Sequence, residues 1–389
     1  MTPDLLRDVA REVGPFTSVS FDAGRAGESA AGEIPARFRA LADDLKQRGA
    51  PEADIAALRE VATALPGRGG ELTRLSVARA GEVVLDLVLP GAPPRDECTF
   101  GPAPHLLPVP RSLRWPAPYL IVEADRAGAS IEVVDEWGAE ADVEQVEGSH
   151  ELLHKVPAGG WSHRRIQARV QDSWDRNAAE VAAEVDRVVA ALAPAAILLA
   201  GDPYAVGALS RAWGAAAAEL AVHLDSGGRA AGVHEAARRA AITHALQELE
   251  RDHRAELTDR FAGAIARQQE AVEGLAAVVD SLRRGQVDHL LLKDDPTSTV
   301  TLWSGPEPLQ IGADRADVSA MGVDQPVRMR ADAVLLRAVY ASGGDVLLLG
   351  DDDVRPTEGI GALLRWSDAA TEHDAAPAMP GHGQAPGGG

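Results

Sequence analysis

Short apolar runs alternate with amphipathic stretches along this chain, and that alternation restricts it to an α/β architecture. Ala195–Ala200 (AAILLA), Val287–Leu292 (VDHLLL), Val346–Leu349 (VLLL) and Gly361–Trp366 (GALLRW) are each too short for a helix and read as buried strands. Helical patterns stand between them, near Tyr204–Ala218, from about His234, between His253 and Arg284, and over Ala331–Ala341. The first part reads differently. Phe16–Asp22, Arg74–Arg79 and Glu82–Leu89 alternate with period two, and Ala80-Gly81 joins the last two as a hairpin. Helices are expected from Thr2 to Val13, over Ile34–Gln47 and over Glu52–Leu65. A proline-rich stretch from Pro90 to Pro110 closes this segment, and two further strands are expected at Tyr119–Glu123 and Ser130–Val134.

These patterns divide the 389 residues into an N-terminal α/β domain (1–112), a central α/β domain (113–255), a C-terminal α/β domain (256–367) and a disordered tail (368–389). Aromatic residues are only 4% of the chain, so the cores must be aliphatic. The single cysteine, Cys98, excludes an internal disulfide framework and a Cys-rich metal site, and reads as an inert thiol. No apolar run reaches the ~18 residues of a membrane span, and no signal segment opens the sequence, so the expected location is cytoplasmic.

Conventional catalytic signatures are missing. There is no phosphate loop and no nucleophile elbow; His234-Glu235 lacks the second histidine of a zinc motif. Asp351-Asp352-Asp353 follows a strand and reads as a solvated turn rather than a cation site. No metal and no cofactor is implied.

The unusual region lies in the middle. The formal charge is −21, from 38 basic and 59 acidic residues, which argues against non-specific nucleic-acid binding by the average surface and against DNA as a partner. Yet Leu152 to Gln171 holds no acidic residue, while it carries Lys155, Arg164, Arg165 and Arg169. Gly159-Gly160 lets the backbone enter a narrow space, and Trp161 follows at the tip. The spacing of Ile166, Val170, Trp174, Val181, Val185 and Val188 predicts one helix from Ser162 to Leu192, with Ser162 as its cap. Arg165, Arg169 and Arg176 would then share one face, and glycines, helix start and arginines together suit an RNA phosphate surface. A solvated loop ahead of an amphipathic helix is the plainer reading of the same residues.

The run Leu153-His154-Lys155 … Gly159-Gly160-Trp161-Ser162, followed by Asn177-Ala178-Ala179 and Ile197-Leu198-Leu199-Ala200-Gly201, resembles the central domain of archaeal and eukaryotic class I release factors and Pelota. Gly285–Leu292 and Gly359–Trp366 resemble that superfamily's C-terminal domain. The bacterial branch fits best, close to actinobacterial relatives of the hibernation factor Balon, which Gly14-Pro15-Phe16 and His105–Val109 also resemble. The resemblance implies an RNase-H-like central domain and an L30e-like C-terminal domain. It also implies a Gly-Gly-Gln loop that positions water on the peptidyl-tRNA ester.

Here Trp161 stands where that glutamine would be, and Gln167 lies further on. The elements used for stop-codon recognition are also absent. The resemblance therefore implies a ribosome-binding dormancy or stress factor without release chemistry and with no catalytic residue. It would occupy the A site with Gly159, Gly160, Trp161, Ser162 and His163 near the peptidyl-transferase centre. Lys155, Arg164, Arg165 and Arg169 would lie on rRNA, and elongation factor Tu or another translational GTPase would be the partner. Two alternatives stand beside it: a peptidyl-tRNA hydrolase in ribosome rescue, in which His163 would serve, and a stress protein that binds another protein through its acidic surface.

Overall fold

The computed structural model describes residues 4–24, 30–64, 66, 70–112, 117–125, 128–135, 166–169, 174–224, 235–368 and 371. It is a mixed α/β chain with several sheets. The expected tail, apart from residues 368 and 371, lies outside these residues.

The first part runs α1 (Asp4–Arg11), β1 (Phe16–Asp22), α2 (Ala30–Gln47), α3 (Glu52–Ala62), β2 (Leu72–Arg79), β3 (Glu82–Pro90), β4 (Glu97–Gly101) and α4 (Pro108–Ser112). Its sheet is antiparallel, in the order β3-β2-β1-β4. Ala80 and Gly81 turn the hairpin with φ of 52° and 83°, positive at both positions as a type I′ turn requires. The buried Asp54 fixes that turn, accepting the Gly81 N–H at 2.6 Å and the Thr17 hydroxyl at 2.7 Å. One sheet face, with Val19 and Phe21, packs on Phe38, Leu45, Ile55 and Leu58 of α2 and α3. Strand β4 lies inside the proline-rich stretch that carried no periodicity; its pairing with β1 forms it, not its own pattern.

The central part runs β5 (Tyr119–Asp125), β6 (Gly128–Val134), β7 (Ile166–Arg169), α5 (Trp174–Leu192), β8 (Ala196–Gly201), α6 (Pro203–Ala212), α7 (Ala215–Leu220), β9 (Ala221–His223) and α8 (Glu235–Arg267). Its sheet order is β7-β6-β5-β8-β9. Leu120, Val122, Ile131, Val133, Ile197 and Leu199 face α5, α6 and α7. Ile121, Val134 and Leu198 face the other way, onto Ala245 of α8. Period-two alternation thus buries both faces, as a three-layer domain requires.

The helix expected over Ser162–Leu192 is corrected here. Ile166–Arg169 is strand β7, antiparallel to β6, and the helix begins at Trp174. A four-residue spacing of Ile166, Val170 and Trp174 mimics a helix stripe, but pairing with the open edge of β6 satisfies the backbone groups of this segment. The expected single helix over Tyr204–Ala218 is also two, broken at Trp213 and Gly214, where the Gly214 N–H bonds Asp186.

The last part runs β10 (Ala271–Glu273), α9 (Leu275–Arg283), β11 (Val287–Lys293), β12 (Thr301–Ser304), β13 (Ile311–Gly312), α10 (Arg315–Ala320), β14 (Val327–Arg330), α11 (Ala331–Ala341), β15 (Asp345–Leu349) and β16 (Ile360–Leu364). The main sheet has the order β10-β16-β11-β15, and β13-β12-β14 form a small second sheet. The expected boundary at 255/256 falls inside α8, a continuous 33-residue helix about 50 Å long. Its second half packs Leu257, Phe261 and Ala264 on Leu291 and Leu363. Phe261 comes so close that a Cβ on Gly361 would lie 2.6 Å from its ring.

The first and last parts share one core. Leu6, Val9, Phe16, Leu75 and Leu89 belong to the same buried cluster as Val279, Leu290, Leu336 and Leu364. Arg337 lies in its middle, 1% exposed. Its guanidinium donates to the carbonyls of Ala10 (3.2 Å), Glu12 (2.6 Å) and Pro306 (2.7 Å) and lies over Phe16, 5.4 Å from the ring centroid. The first two carbonyls belong to the end of α1, where a cation is favoured by the helix dipole. Burial pulls the Arg337 pKa down to about 10, so it stays charged at neutral pH.

Candidate functional site

Strands β6 and β7 define the base of the candidate site. Ile131 pairs with Ile166 and Gly128 with Arg169, so β7 runs antiparallel along the first half of β6 and begins opposite Ile131, three residues before β6 ends. Strand β6 ends at Val134 and β7 begins at Ile166. Lys155, Gly159, Gly160, Trp161, Ser162, His163, Arg164 and Arg165 fall between them in sequence and lie outside the described residues. Arg169 is the last residue of β7, Gln167 lies within the strand, and Arg176 is in the first turn of α5. The shared helical face expected for Arg165, Arg169 and Arg176 therefore does not form, and Ser162 does not cap α5. Arg169 ends a strand and Arg176 lies in a helix, so no single helix joins these two arginines.

The rest of the central domain is a rigid support for these strands. Strand β8 finishes in Leu199-Ala200-Gly201. Gly201 has a φ of 132°, and a Cβ there would lie 1.8 Å from the Ala124 carbonyl oxygen. Only glycine fits, which gives the terminal glycine of this run a physical cause. Asp202 follows and caps α6, accepting the Tyr204 and Ala205 N–H groups at 3.0 and 3.3 Å. On the α8 face, Arg238 bridges Glu123 at 2.6 Å and Glu132 at 2.8 Å. Burial opposes charge on this guanidinium, but the two carboxylates hold its pKa above the usual value.

A cleft of about 1110 Å³ opens where the first sheet, α4, α8 and β15 meet. The sequence reading did not single it out. Its wall holds Glu97, which bonds His105 at 2.9 Å and also pairs with Arg95. Burial would raise the Glu97 pKa, but the His105 hydrogen bond and charge, helped by Arg95, hold it at about 2. Arg111 clamps Asp294 with three contacts of 2.6–3.0 Å across the cleft. Arg254 takes the Leu348 carbonyl at 2.8 Å and Asp353 at 2.6 Å. Asp353 also accepts the Gly350 N–H at 2.6 Å, so the Asp351–Asp353 run is a pinned turn. No group of three or more His, Cys, Asp or Glu placed to hold a metal occurs among the described residues.

Cys98 donates to Asp44 at 3.1 Å, and burial with that acceptor pushes its thiol up to about 12. It stays protonated at neutral pH and is no nucleophile.

Residues 118–267, which begin one position before β5 and end with α8, match the model of bacterial archaeo-eukaryotic release factor family 2. That segment, 150 of the 389 residues, is therefore similar to a bacterial family of archaeo-eukaryotic release factors. Two Mycobacterium tuberculosis proteins described as uncharacterized, MT2704 (strain CDC 1551) and Rv2629 (strain H37Rv), are each 27% identical over 379 residues, covering 94% of this chain and 97% of theirs. Among solved structures, Archaeoglobus fulgidus Pelota is 16% identical with a TM-score of 0.32, covering 76% of this chain and 79% of its own. Saccharomyces cerevisiae Dom34, a translation termination-like factor that interacts with Hbs1, is 12% identical with a TM-score of 0.38, covering 77% and 82%. Among the described residues no helix is long and apolar enough to cross a membrane.

Proposed function

We propose that this protein is a cytoplasmic ribosome-binding factor of dormancy or stress that enters the A site and performs no peptide release, in the manner of Balon. The observation that carries this reading is Trp161, set behind Gly159-Gly160 where the superfamily's release loop has glutamine. An indole has one N–H donor and no acceptor, so it cannot hold and orient a water as a side-chain amide does. The Gly159–His163 loop, which falls between β6 and β7 in sequence, approaches the peptidyl-transferase centre. Lys155, Arg164, Arg165 and Arg169 sit on rRNA phosphates, in a 20-residue window (152–171) of an acidic chain that has no carboxylate. The N-terminal domain faces the decoding centre, and the C-terminal domain meets elongation factor Tu or another translational GTPase.

Reversing Arg164, Arg165 and Arg169 to glutamate tests this. Co-sedimentation with ribosomes is expected to vanish, and the unmodified protein is expected to leave peptidyl-tRNA intact. Ribosome binding that survives the triple reversal overturns the reading. Cleavage that is lost in His163→Ala would establish a hydrolase instead.

A further inference from the structure

The small sheet β13-β12-β14 has two unlike faces. Leu302, Ile311 and Met329 point into the shared core. The other face carries Thr301 and Trp303 from β12 and Arg328 and Arg330 from β14, with Trp303 directly opposite Arg328 and Thr301 opposite Arg330. Trp303 is half-buried, Arg328 is exposed, and the exposed Arg315 at the start of α10 places its guanidinium 5.9 Å from the Trp303 ring centroid. Arg328 donates from Nε to the Thr301 hydroxyl at 2.7 Å, which holds its guanidinium on this face.

Neither Arg315 nor Arg328 forms an ion pair among the described residues. The neighbouring carboxylates are otherwise engaged: Asp332 holds Arg330, and Asp317 accepts the Asp314 N–H at 3.4 Å. In a chain of net charge −21 this is a cationic, aromatic shelf on a sheet face. The core does not need an indole on this side, because Leu302 and Met329 already fill the inner face.

We propose that this face binds single-stranded RNA: a base stacks on the Trp303–Arg315 shelf and Arg328 holds the adjoining phosphate. Exposed bases can reach a flat ring on a sheet face, whereas paired bases in a duplex cannot. The guanidinium planes suit both stacking and phosphate, and an aromatic ring with a cation over it and a second cation on the same face suits a nucleotide better than an acidic polypeptide. The choice of RNA over DNA rests on the ribosomal reading given above; the shelf itself lies in a different domain from the Gly159–His163 loop.

The experiment uses the full chain already carrying Arg164→Glu, Arg165→Glu, Arg169→Glu and Lys155→Glu, so that the central cluster contributes nothing. Anisotropy of a labelled 12-nucleotide single-stranded RNA of mixed sequence reads binding, with the same sequence as an RNA duplex and as single-stranded DNA for comparison. Retained binding of single-stranded RNA, weakened about tenfold by Trp303→Ala and little by Trp303→Phe, is the expected result; one stacked base contributes ~1–3 kcal/mol. Arg328→Gln is expected to lower the salt slope by about 0.7, the value of one single-strand phosphate contact. Duplex RNA that binds as well as the single strand, single-stranded DNA that binds more tightly than RNA, or Trp303→Ala that binds like its parent overturns the proposal. So does an absence of RNA binding in the folded parent, including the case in which an acidic polypeptide binds instead. The ribosomal reading fails by a separate result, survival of co-sedimentation in the triple reversal.

Discussion

In the N- and C-terminal parts one apolar cluster runs from Leu6 through Leu75 to Leu364, whereas the central sheet is covered by two clusters of its own. The ends are joined through direct contacts: Arg337 on three carbonyls, the Ala103 N–H on the Met329 sulfur at 3.4 Å, and the Gly14 N–H on the Pro306 carbonyl at 3.2 Å. The middle is joined through α8, whose first half covers the central sheet and whose second half covers the C-terminal one. The difference shows how a chain can hold two domains as one body while the domain bearing the candidate loop keeps a core of its own.

The most disruptive way to break that comparison is Gly201→Ala. The new Cβ would meet the Ala124 carbonyl at 1.8 Å, in a backbone conformation with φ 132° that alanine avoids. The expected loss is ~4 kcal/mol or more, confined to the central domain. Hydrogen exchange should show β5 and β8 losing protection while β1, β2 and β11 keep theirs. Loss of protection throughout would mean that the two bodies unfold as one.

Arg337→Ala tests the shared core. It removes the donor to three carbonyls and the cation over Phe16, at an expected cost of about 3 kcal/mol in denaturant unfolding. Amides of α1, β1 and α11 should lose protection together. Fraying of α1 alone would show that the terminal domains are merely in contact.

Arg238→Ala is the matching test on the central side. It leaves Glu123 and Glu132 against α8 without their cation, and about 2 kcal/mol should be lost from the central domain alone. Adding Glu123→Gln and Glu132→Gln should recover part of it, because amides are cheaper than unpaired carboxylates to leave in a partly buried site.

Particular residues show what could be read in advance. Strands β1, β2 and β3 are legible because their alternation is local and Ala80-Gly81 supplies the one turn that fits. Strands β4 and β7 are not, because each is defined by the open edge of a neighbour, and a four-residue spacing in Ile166–Trp174 suits a helix equally well. For the candidate site, the acid-free window around Gly159 is compositional and can be read directly, whereas the faces its arginines share depend on pairing that sequence spacing does not contain. Arg337 did leave a signal: a lone cation in the apolar helix ADAVLLRAVYA has nowhere to go but a buried set of acceptors. Trp303 and Arg328 are 25 positions apart and meet only through the register of β12 and β14.

The smallest effect comes from pH, and it sharpens the comparison by acting on the joined body alone. Glu97 belongs to β4 and faces His105, and its pKa lies at about 2 against an ordinary 4.5. A carboxyl whose folded pKa is depressed adds stability at pH above 4.5, and that stability is lost as pH falls from there toward 2. Glu97→Gln should therefore lower the melting temperature of the terminal body at pH 7 by an amount worth about 1 kcal/mol. The gap between variant and parent should stay constant down to about pH 4.5 and close as pH approaches 2. Protection in β5 and β8 should not change, since the central core contains neither partner. A gap that persists unchanged at pH 2 would assign the Glu97 contribution to shape rather than charge.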